Sequence, residues 1–395
     1  MGIGDACRAA LRTRMVGNVL VLVVALGSSL VLLELGLRGA WLLRPAEERH
    51  RLPWEARDNE WAFYQYDSLL GWKNRPGASG WFSMPDSRTR VQINSRGLRD
   101  VEHGARDRRR PRILVLGDSF TWGFGVEQGE RYTDWLARLL GPGVEVINAG
   151  VSGYGTDQEL LYYRTDGFRY QPDVLLLEFE LEDVMNNTHA VQYTYPKPYF
   201  TLEHATLSLR NVPVPTREAP WWQRYSLDRA LPPPPTRWWT TKRFLRDHLL
   251  SYTFIVDGTR ALLERYREPA IDNVEAVTAA VLLELKRETA RHGAELVIMM
   301  LPSKDAVLED AHQAWWDAYR AFFREHWFRY VDLRPLFRAA TVRGQQLYFA
   351  VDAHWNREGH HTGALAVGAY LTAEGLAARG AGAAAPCRSR TSSAP

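Results

Sequence analysis

The sequence predicts an α/β fold built on a parallel sheet, because strand-like and helix-like segments alternate along the chain. Apolar runs typical of strands buried on both faces, such as residues 113–116 and 295–301, alternate with segments of helical periodicity, such as 273–292. The length of 395 residues suits one large α/β domain with appendages, and 46% hydrophobic with 24% charged residues is ordinary for a folded protein. A net charge of only +3 predicts no nucleic-acid partner.

An almost wholly apolar segment follows Arg14 near the start of the chain. Because about 20 apolar residues cross a bilayer, residues 15–37 are predicted to form a transmembrane signal anchor behind a cytoplasmic tail of residues 1–14. A cleaved signal peptide is the alternative, but no small-x-small cleavage site follows. Arginines flank both ends of the run, so the charge count does not decide the orientation. A short basic N-terminus before a large domain favours an exported main domain.

The predicted domain plan has three further parts. Residues 38–110 form a lead-in rich in aromatic residues, Gly and Pro, whose short alternating runs predict two or three small strands beside the main sheet. The main domain is predicted over 111–378, with an insertion at about 190–240 where the alternation stops and Trp and Pro accumulate. Such an insertion suits a lid or a substrate platform. Residues 379–395 lack apolar periodicity and are predicted to be disordered.

Beyond the insertion, strands and helices alternate again. Their periodicity predicts helices at 244–266, 273–292 and 311–326, strands at 295–301 and 328–332, and a last helix that starts near Glu358. The 15 tryptophans of the chain weakly indicate contact with carbohydrate or with the cell envelope, since most Trp is simply buried.

The strand at 113–116 ends in Gly117-Asp-Ser119. Ser119 is therefore predicted just past the C-terminal end of a strand, which is where ligands bind in open α/β sheets. A helical pattern begins after Gly125, so the hydroxyl lies on a tight turn near free backbone amides, as a nucleophile requires. An ordinary turn capped by Asp118 or Ser119 is the alternative, and this motif alone does not separate the two interpretations.

A second strand at 144–148 leads into a loop with three glycines, Gly150, Gly153 and Gly155, and then into a helix that runs to about Arg169. Glycines let backbone N–H groups approach a ligand closely, and a helix N-terminus favours negative charge. A tight turn capped by the next polar residues is the alternative interpretation.

The segment Val351-Asp-Ala-His354 supplies groups that Ser119 lacks. Asp352 and His354 fall on the same side of an extended segment, so the carboxylate can hold one ring nitrogen while the other takes the proton of Ser119. Asp352, His354, His360 and His361 together also resemble a zinc ligand set, but no cysteine or glutamate arrangement supports one. No metal and no cofactor are therefore predicted.

These blocks, in this order, resemble the GDSL or SGNH hydrolase family, and more narrowly its bacterial membrane-anchored members. The resemblance spans roughly residues 66–378 and implies a flavodoxin-like three-layer α/β/α sandwich that hydrolyses or transfers an acyl ester through an acyl-serine. It rests on Gly117-Asp-Ser119, on Asn148-Ala-Gly-Val-Ser-Gly-Tyr-Gly-Thr, on the acidic segment with asparagines at 181–187, which follows a third apolar strand that starts at Pro172, and on Asp352-Ala-His354-Trp.

By position, Ser119 matches the nucleophile of that family, and Asp352 with His354 matches its acid and base. The backbone N–H groups of Ser119 and Gly153 match two oxyanion donors. The Asp-x-His spacing resembles a subset that includes polysaccharide O-acetylation proteins. The resemblance thus implies a single-pass bacterial inner-membrane protein, catalytic in the periplasm or outside the cell, that acts on an acylated carbohydrate or another small ester.

One position departs from the family pattern. Glu182 stands where the family has an oxyanion-donating Asn, and an ionised carboxylate only accepts hydrogen bonds. Three interpretations follow: Glu182 is protonated or turned away while Asn186 or Asn187 donates instead; only two backbone donors act; or the site has lost hydrolysis and binds a glycan silently. Asp118 and Asp183 are further candidate site residues.

Overall fold

A computed structural model describes residues 63–215 and 274–378, apart from 85, 193–194 and 310, together with 21–22, 24–40 and four positions between 249 and 255. The chain divides into two compact units. One comprises residues 1–56 and 234–270, and the other comprises 57–233 and 271–395. The second unit contains the lead-in strands and the α/β domain.

The lead-in contains two antiparallel hairpins. Their strands are β1 (Tyr64–Asp67), β2 (Gly71–Asn74), β3 (Ser79–Ser83) and β4 (Arg88–Gln92). The structure therefore has four lead-in strands, one or two more than the sequence pattern predicts. Their apolar side chains, among them Phe63, Trp72 and Phe82, are buried in the same core as Leu114 of the main sheet. This shared core makes the lead-in part of the α/β domain rather than a linker.

The described residues contain nine further strands, of which the five in the central sheet alternate with helices and the four in the insertion follow one another directly. They are β5 (Arg112–Leu116), β6 (Glu145–Asn148), β7 (Val174–Phe179), β8 (Val191–Gln192), β9 (Tyr195–Pro196), β10 (Tyr199–Glu203), β11 (Thr206–Arg210), β12 (Glu295–Met300) and β13 (Arg329–Asp332). The helices of this unit are α1 (Ser119–Trp122), α2 (Tyr132–Leu140), α3 (Thr156–Thr165), α4 (Leu181–Asn186), α5 (Val274–Arg291), α6 (Lys304–Leu308), α7 (Gln313–Glu325), α8 (Arg334–Val342) and α9 (Arg357–Ala373).

Five parallel strands form the central sheet in the order β13-β12-β7-β5-β6. Counted along the chain, this is the order 2-1-3-4-5 of flavodoxin-like sheets, whose strand order reverses between the first and the third strand. That switch point lies between β5 and β7. The crevice where such folds bind ligands is therefore bordered by Ser119, which follows β5, and by α4, which follows β7.

Alternate side chains of each central strand enter two separate cores, one on each face of the sheet. Leu114 and Leu116 of β5 pack on the side of α3, α5 and α7. Ile113 and Val115 pack on the opposite side, against α2, α8 and α9. The sheet is thus the middle of three layers, and the uninterrupted apolar runs in the sequence follow from burial on both faces.

Several element boundaries differ from the sequence-based expectation. The helix expected to reach Arg169 ends at Thr165 and is followed by a 3-10 turn over Gly167–Tyr170, so the last turn is tighter than an α-helix. The short helices α6 and α8 have no sequence-based counterpart. In the insertion, β10 and β11 form an antiparallel hairpin. The rest of it from residue 216, and most of the helix expected at 244–266, lie outside the described residues.

In the other unit, residues 24–40 are helical. Among the described residues, no helix combines the length and the apolar character required to span a bilayer. Part of the predicted anchor, residues 15–20 and 23, lies outside the described residues, as do the tail at 1–14 and the C-terminal segment 379–395.

Candidate active site

Ser119 begins α1 directly after β5, at the C-terminal edge of the sheet. Asp118 fixes this turn, since one of its carboxyl oxygens accepts from the Phe120 N–H at 2.9 Å. The other carboxyl oxygen of Asp118 accepts from the Ser119 hydroxyl at 3.2 Å. The side chain that the sequence offered as a cap is therefore a cap and also a neighbour of the serine. Ser119 itself is 5% exposed.

His354 and Asp352 lie on a loop that meets Ser119 from across the sheet edge. Nε2 of His354 is 2.8 Å from the Ser119 hydroxyl oxygen, and Nδ1 is 2.5 Å from Oδ1 of Asp352. The same Asp352 oxygen accepts from the backbone N–H of His354 at 2.8 Å. A serine hydroxyl, an imidazole and a carboxylate thus form one hydrogen-bonded chain, which is the arrangement that activates a serine as a nucleophile.

Aromatic rings hold the imidazole in place. Phe124 stacks on the His354 ring with centroids 4.4 Å apart, and Phe120 lies 4.8 Å away. Partial burial raises the pKa of Asp352, but the hydrogen bonds from His354 and the charge of Lys304 outweigh it, so the pKa of this carboxyl is lowered overall. Asp352 therefore stays ionised and can stabilise a protonated imidazole.

The glycine loop after β6 lies beside the serine helix. A Cβ on Gly150 would be 2.4 Å from the backbone nitrogen of Trp122, so only glycine allows this approach. Gly153 has a φ of +77°. Its N–H has no acceptor in the part of the chain that the structure describes, and the N–H of Ser119 is at the first residue of a helix, where no intrahelical acceptor precedes it. Both groups are free to bind an oxyanion.

A family model for GDSL-like lipases and acylhydrolases matches residues 115–362, which include every element of this arrangement. The chain belongs to the GDSL-like lipase/acylhydrolase family. The matched residues include the five strands of the central parallel sheet, apart from the first residues of β5. A comparison with curated proteins found no match.

Three solved structures illustrate the similarity, each covering about two thirds of this chain. An α/β hydrolase enzyme from the metagenome of Lake Arreo is 17% identical over 68% of this chain and 96% of its own, with a TM-score of 0.39. An acetylxylan esterase from Geobacillus stearothermophilus is 14% identical over 67% and 96%, with a TM-score of 0.37. A lipolytic G-D-S-L family protein from Veillonella parvula is 13% identical over 66% and 98%, with a TM-score of 0.36.

Glu182, in the position of the family's oxyanion asparagine, is the second residue of α4. Burial by neighbouring atoms and the charge of Asp118 raise the pKa of its carboxyl, while His354 acts in the opposite direction. By surface area the residue is exposed, so we expect a smaller shift than for its buried neighbours.

Carboxyl groups accumulate behind Glu182. Burial, followed by the charge of Asp118, raises the pKa of both Glu178 and Glu180 well above the usual range. Glu178 is further fixed because it accepts from the Thr121 N–H at 3.0 Å. Burial and mutual repulsion therefore favour the protonated form of the carboxyl groups at the β7 end of the site.

The remaining candidate residues have structural partners. Asp183 accepts from the Glu180 N–H at 2.9 Å and caps α4. Asn187 accepts from the Asp157 N–H at 2.8 Å, and its amide donates to Thr278 at 2.9 Å, so it is not directed at an oxyanion. Asn186 is buried, and its backbone oxygen accepts from Lys197 at 2.8 Å, a contact that does not involve the side-chain amide considered as an oxyanion donor.

The two histidines weighed as zinc ligands are also engaged. His360 is fully buried, and burial lowers its pKa to about 3, so it is neutral. It accepts from the Tyr132 N–H at 3.2 Å. His361 packs against Trp135 with ring centroids 4.6 Å apart. The described residues contain no group of three or more ligating side chains suited to a metal ion.

Three residues that shape the site were not predicted from the sequence. Glu178 had a signal, because a glutamate inside an otherwise apolar strand buried on both faces needs an explanation. Asp86 and Lys304 had none. Asp86 accepts from N–H groups of the loop at 349–354, which carries Asp352 and His354. Lys304 donates to carbonyls of the same loop, and neither residue lies near it in the sequence.

Proposed function

We propose that this protein is a serine esterase that removes or transfers a small acyl group on a cell-envelope glycan through an acyl-serine. The chain of hydrogen bonds from Ser119 through His354 to Asp352 carries the proposal. No other hydroxyl in the described residues has both an imidazole at hydrogen-bonding distance and a carboxylate behind that imidazole.

The proposed reaction has two steps. In the first, the Ser119 hydroxyl oxygen attacks the ester carbonyl carbon while His354 Nε2 takes its proton, and the N–H groups of Ser119 and Gly153 stabilise the resulting oxyanion. The intermediate expels the alcohol, which takes the proton from His354. In the second, water or a sugar hydroxyl attacks the acyl-serine with His354 again as base, releasing an acid or a new ester.

A small acyl group, such as acetyl, fits the surroundings of the nucleophile. Ser119 is 5% exposed, and Phe120 and Phe124 cover the imidazole that it contacts. A long acyl chain would need an apolar channel from the serine.

The test is covalent labelling of the full chain with a fluorophosphonate probe, followed by turnover of an acetylated oligosaccharide. We expect wild type to be labelled at Ser119, Ser119→Ala to remain unlabelled, and acetate to be released. Adding an unacetylated acceptor oligosaccharide separates hydrolysis from transfer, because transfer moves the acetyl group to the acceptor. A folded wild type that resists the probe and releases no acetate would contradict the proposal.

A second candidate is a catalytically silent glycan-binding or polysaccharide-assembly protein. Glu182 favours it, because a carboxylate near the oxyanion would oppose the developing negative charge. Glycan binding by an unlabelled wild type, unchanged in Ser119→Ala, would support this candidate.

We also propose that residues 15–37 anchor the protein in a bacterial inner membrane, with the catalytic domain exported. The apolar run supports this, as do exposed apolar side chains on its described part, such as Leu32 at 69% and Leu35 at 60% exposure. Membrane fractions should retain the full chain after an alkaline carbonate wash, and added protease should reach the catalytic domain in spheroplasts. Release by the wash, or protection in spheroplasts, would contradict the anchor or its orientation.

A further inference from the structure

The acid–base loop, residues 349–354, has few restraints of its own. A bridge between Tyr348 and Trp355 closes its stem, and the Phe349 N–H donates to the His354 carbonyl at 3.0 Å. Val351 at its tip is 52% exposed. A short surface loop held only at its stem samples many conformations, so its order must come from contacts outside it.

Asp86 supplies one such contact from the turn between β3 and β4. One of its carboxylate oxygens accepts from two consecutive N–H groups of the loop, those of Val351 at 3.0 Å and Asp352 at 2.8 Å. The acceptor belongs to the lead-in, more than two hundred and fifty residues away in the sequence. Charge-assisted hydrogen bonds of this kind are stronger than neutral ones.

Lys304 supplies the second contact from the first turn after β12. Its ammonium donates to the two preceding carbonyls of the same loop, those of Phe349 at 2.7 Å and Ala350 at 2.9 Å. Four consecutive residues therefore present two carbonyls to a cation and two N–H groups to an anion. Each charged side chain matches the polarity of the backbone groups that it contacts.

Close packing joins the same three segments. Gly125, which follows the serine helix, has a φ of +79°. A Cβ there would lie 2.6 Å from the Met84 sulfur and 2.7 Å from the Phe349 ring. The lead-in hairpin, the serine segment and the acid–base loop thus meet at one point, two residues from Asp86.

We propose that Asp86 and Lys304 are positioning residues that clamp the backbone of residues 349–352 and so hold His354 against Ser119. The inference rests on the proposed function, because it concerns the geometry of that same serine site. The Nε2 to hydroxyl distance of 2.8 Å leaves little tolerance, and a displacement of about 1 Å can reduce a rate roughly a hundredfold.

Two pairs of variants test the clamp in the full chain. Asp86→Ala removes the acceptor, whereas Asp86→Asn keeps an oxygen that can accept from both N–H groups. Lys304→Met removes the ammonium. Its matched control is Lys286→Met, because Lys286 also donates to two consecutive carbonyls, those of His326 and Trp327 at 2.6 and 2.7 Å, at the end of α7.

Amide hydrogen exchange of the peptide over 349–354 measures the clamp independently of activity. We expect exchange there to accelerate at least about tenfold in Asp86→Ala and Lys304→Met, and to be unchanged in Lys286→Met. Fluorophosphonate labelling and kcat on 4-nitrophenyl acetate should fall by about ten- to a hundredfold in the first two variants, with a much smaller change in KM. Asp86→Asn should recover most of the loss.

Each result has a distinct meaning. Unchanged exchange in Asp86→Ala and Lys304→Met would overturn the clamp. Faster exchange with unchanged labelling would overturn the positioning role, since the loop would then be free without affecting the serine. If wild type resists the probe but exchange still rises in these variants, the clamp stands as a holder of the loop and the proposed esterase function fails.

Discussion

The two sides of Ser119 differ in how they hold carboxyl groups: one side pairs a single carboxylate with partners of opposite polarity, and the other buries several carboxyl groups together. On the side of the acid–base loop, the Asp352 carboxylate faces the His354 ring and is also influenced by the nearby Lys304 cation. On the side of β7 and α4, carboxyl groups are buried together. These groups belong to Asp118, Glu159, Glu178, Glu180 and Asp183. The buried ammonium near them, Lys197, is paired with Asp157 at 2.5 Å.

This difference sets opposite requirements on charge. On the acid–base side, the proposed reaction needs an ionised Asp352 beside a neutral imidazole that accepts the serine proton. The β7 side is stable when its acids hold protons, because burial and mutual repulsion raise the pKa of Glu159, Glu178, Glu180 and Asp183. Ser119 thus lies between a side that needs the ionised Asp352 carboxylate and a side whose buried carboxyl groups are more stable when neutral.

The largest expected effect comes from breaking the acid–base side. His354→Ala removes the only imidazole in contact with Ser119 among the described residues, and we expect kcat on 4-nitrophenyl acetate to fall by roughly 10³–10⁴ because general-base catalysis is lost. His312→Ala is the matched control, because His312 contacts Asp305 at 2.8 Å in a similar pair that does not include the serine. Equal losses in both variants would mean that the His354 pair has no special role.

The acid–base side was also the more predictable one. Ser119, Asp352 and His354 were found because strand ends, an Asp-x-His spacing and the order of motifs are local signals. The sheet itself followed from apolar runs, since strands buried on both faces leave little ambiguity. Boundaries were less certain, as the helix end at Thr165 and the short helices α6 and α8 show, because terminal turns depend on tertiary contacts.

The rest of the site could not be predicted for a different reason. Asp86 and Lys304 act on backbone groups, and a backbone contact imposes no residue type on its partner. Nor does the sequence say that Glu178 and Glu180 lie beside Asp118, because that proximity arises only when β5 and β7 become neighbours in the sheet. Local pattern therefore finds the hydrogen-bonded serine, histidine and aspartate, while topology decides their electrostatic environment.

A second, smaller effect is expected from replacing the Glu182 carboxyl on the β7 side by a neutral amide. Glu182→Asn replaces a carboxyl that opposes an oxyanion by an amide that can donate to it, and we expect kcat/KM on 4-nitrophenyl acetate to rise by about tenfold to a hundredfold. Because the pKa of Glu182 is raised, more of the wild-type residue is neutral in mild acid. The gain should therefore be larger at pH 8 than at pH 5.

Glu358→Asn controls for helix-terminal charge, because Glu358 is likewise an exposed second residue of a helix, α9. Its rate should match wild type at both pH values. An unchanged or reduced rate in Glu182→Asn would show that Glu182 does not occupy the oxyanion position, and a gain independent of pH would show that its ionisation is not the cause.

The smallest effect is on stability and concerns Glu180. Burial and then the charges of Asp118, Glu182 and Asp183 raise its pKa well above that of an unfolded glutamate. The stability linked to this group is fully present below the unfolded pKa and is lost as pH rises through the folded pKa. Wild type should therefore resist urea better at pH 5 than at pH 8, and Glu180→Gln should raise the free energy of unfolding at pH 8 by about 1 kcal/mol.

Glu102 provides a control of opposite sign for this measurement. Hydrogen bonds from the backbone and hydroxyl of Ser95 lower the pKa of its carboxyl. Any stability linked to Glu102 is present above the unfolded pKa and lost as pH falls, so Glu102→Gln should not stabilise the protein at pH 8. If Glu180→Gln gains no stability at pH 8, or gains as much at pH 5, the acids at the β7 end are not protonated because of their mutual repulsion, and the contrast between the two sides of Ser119 does not hold.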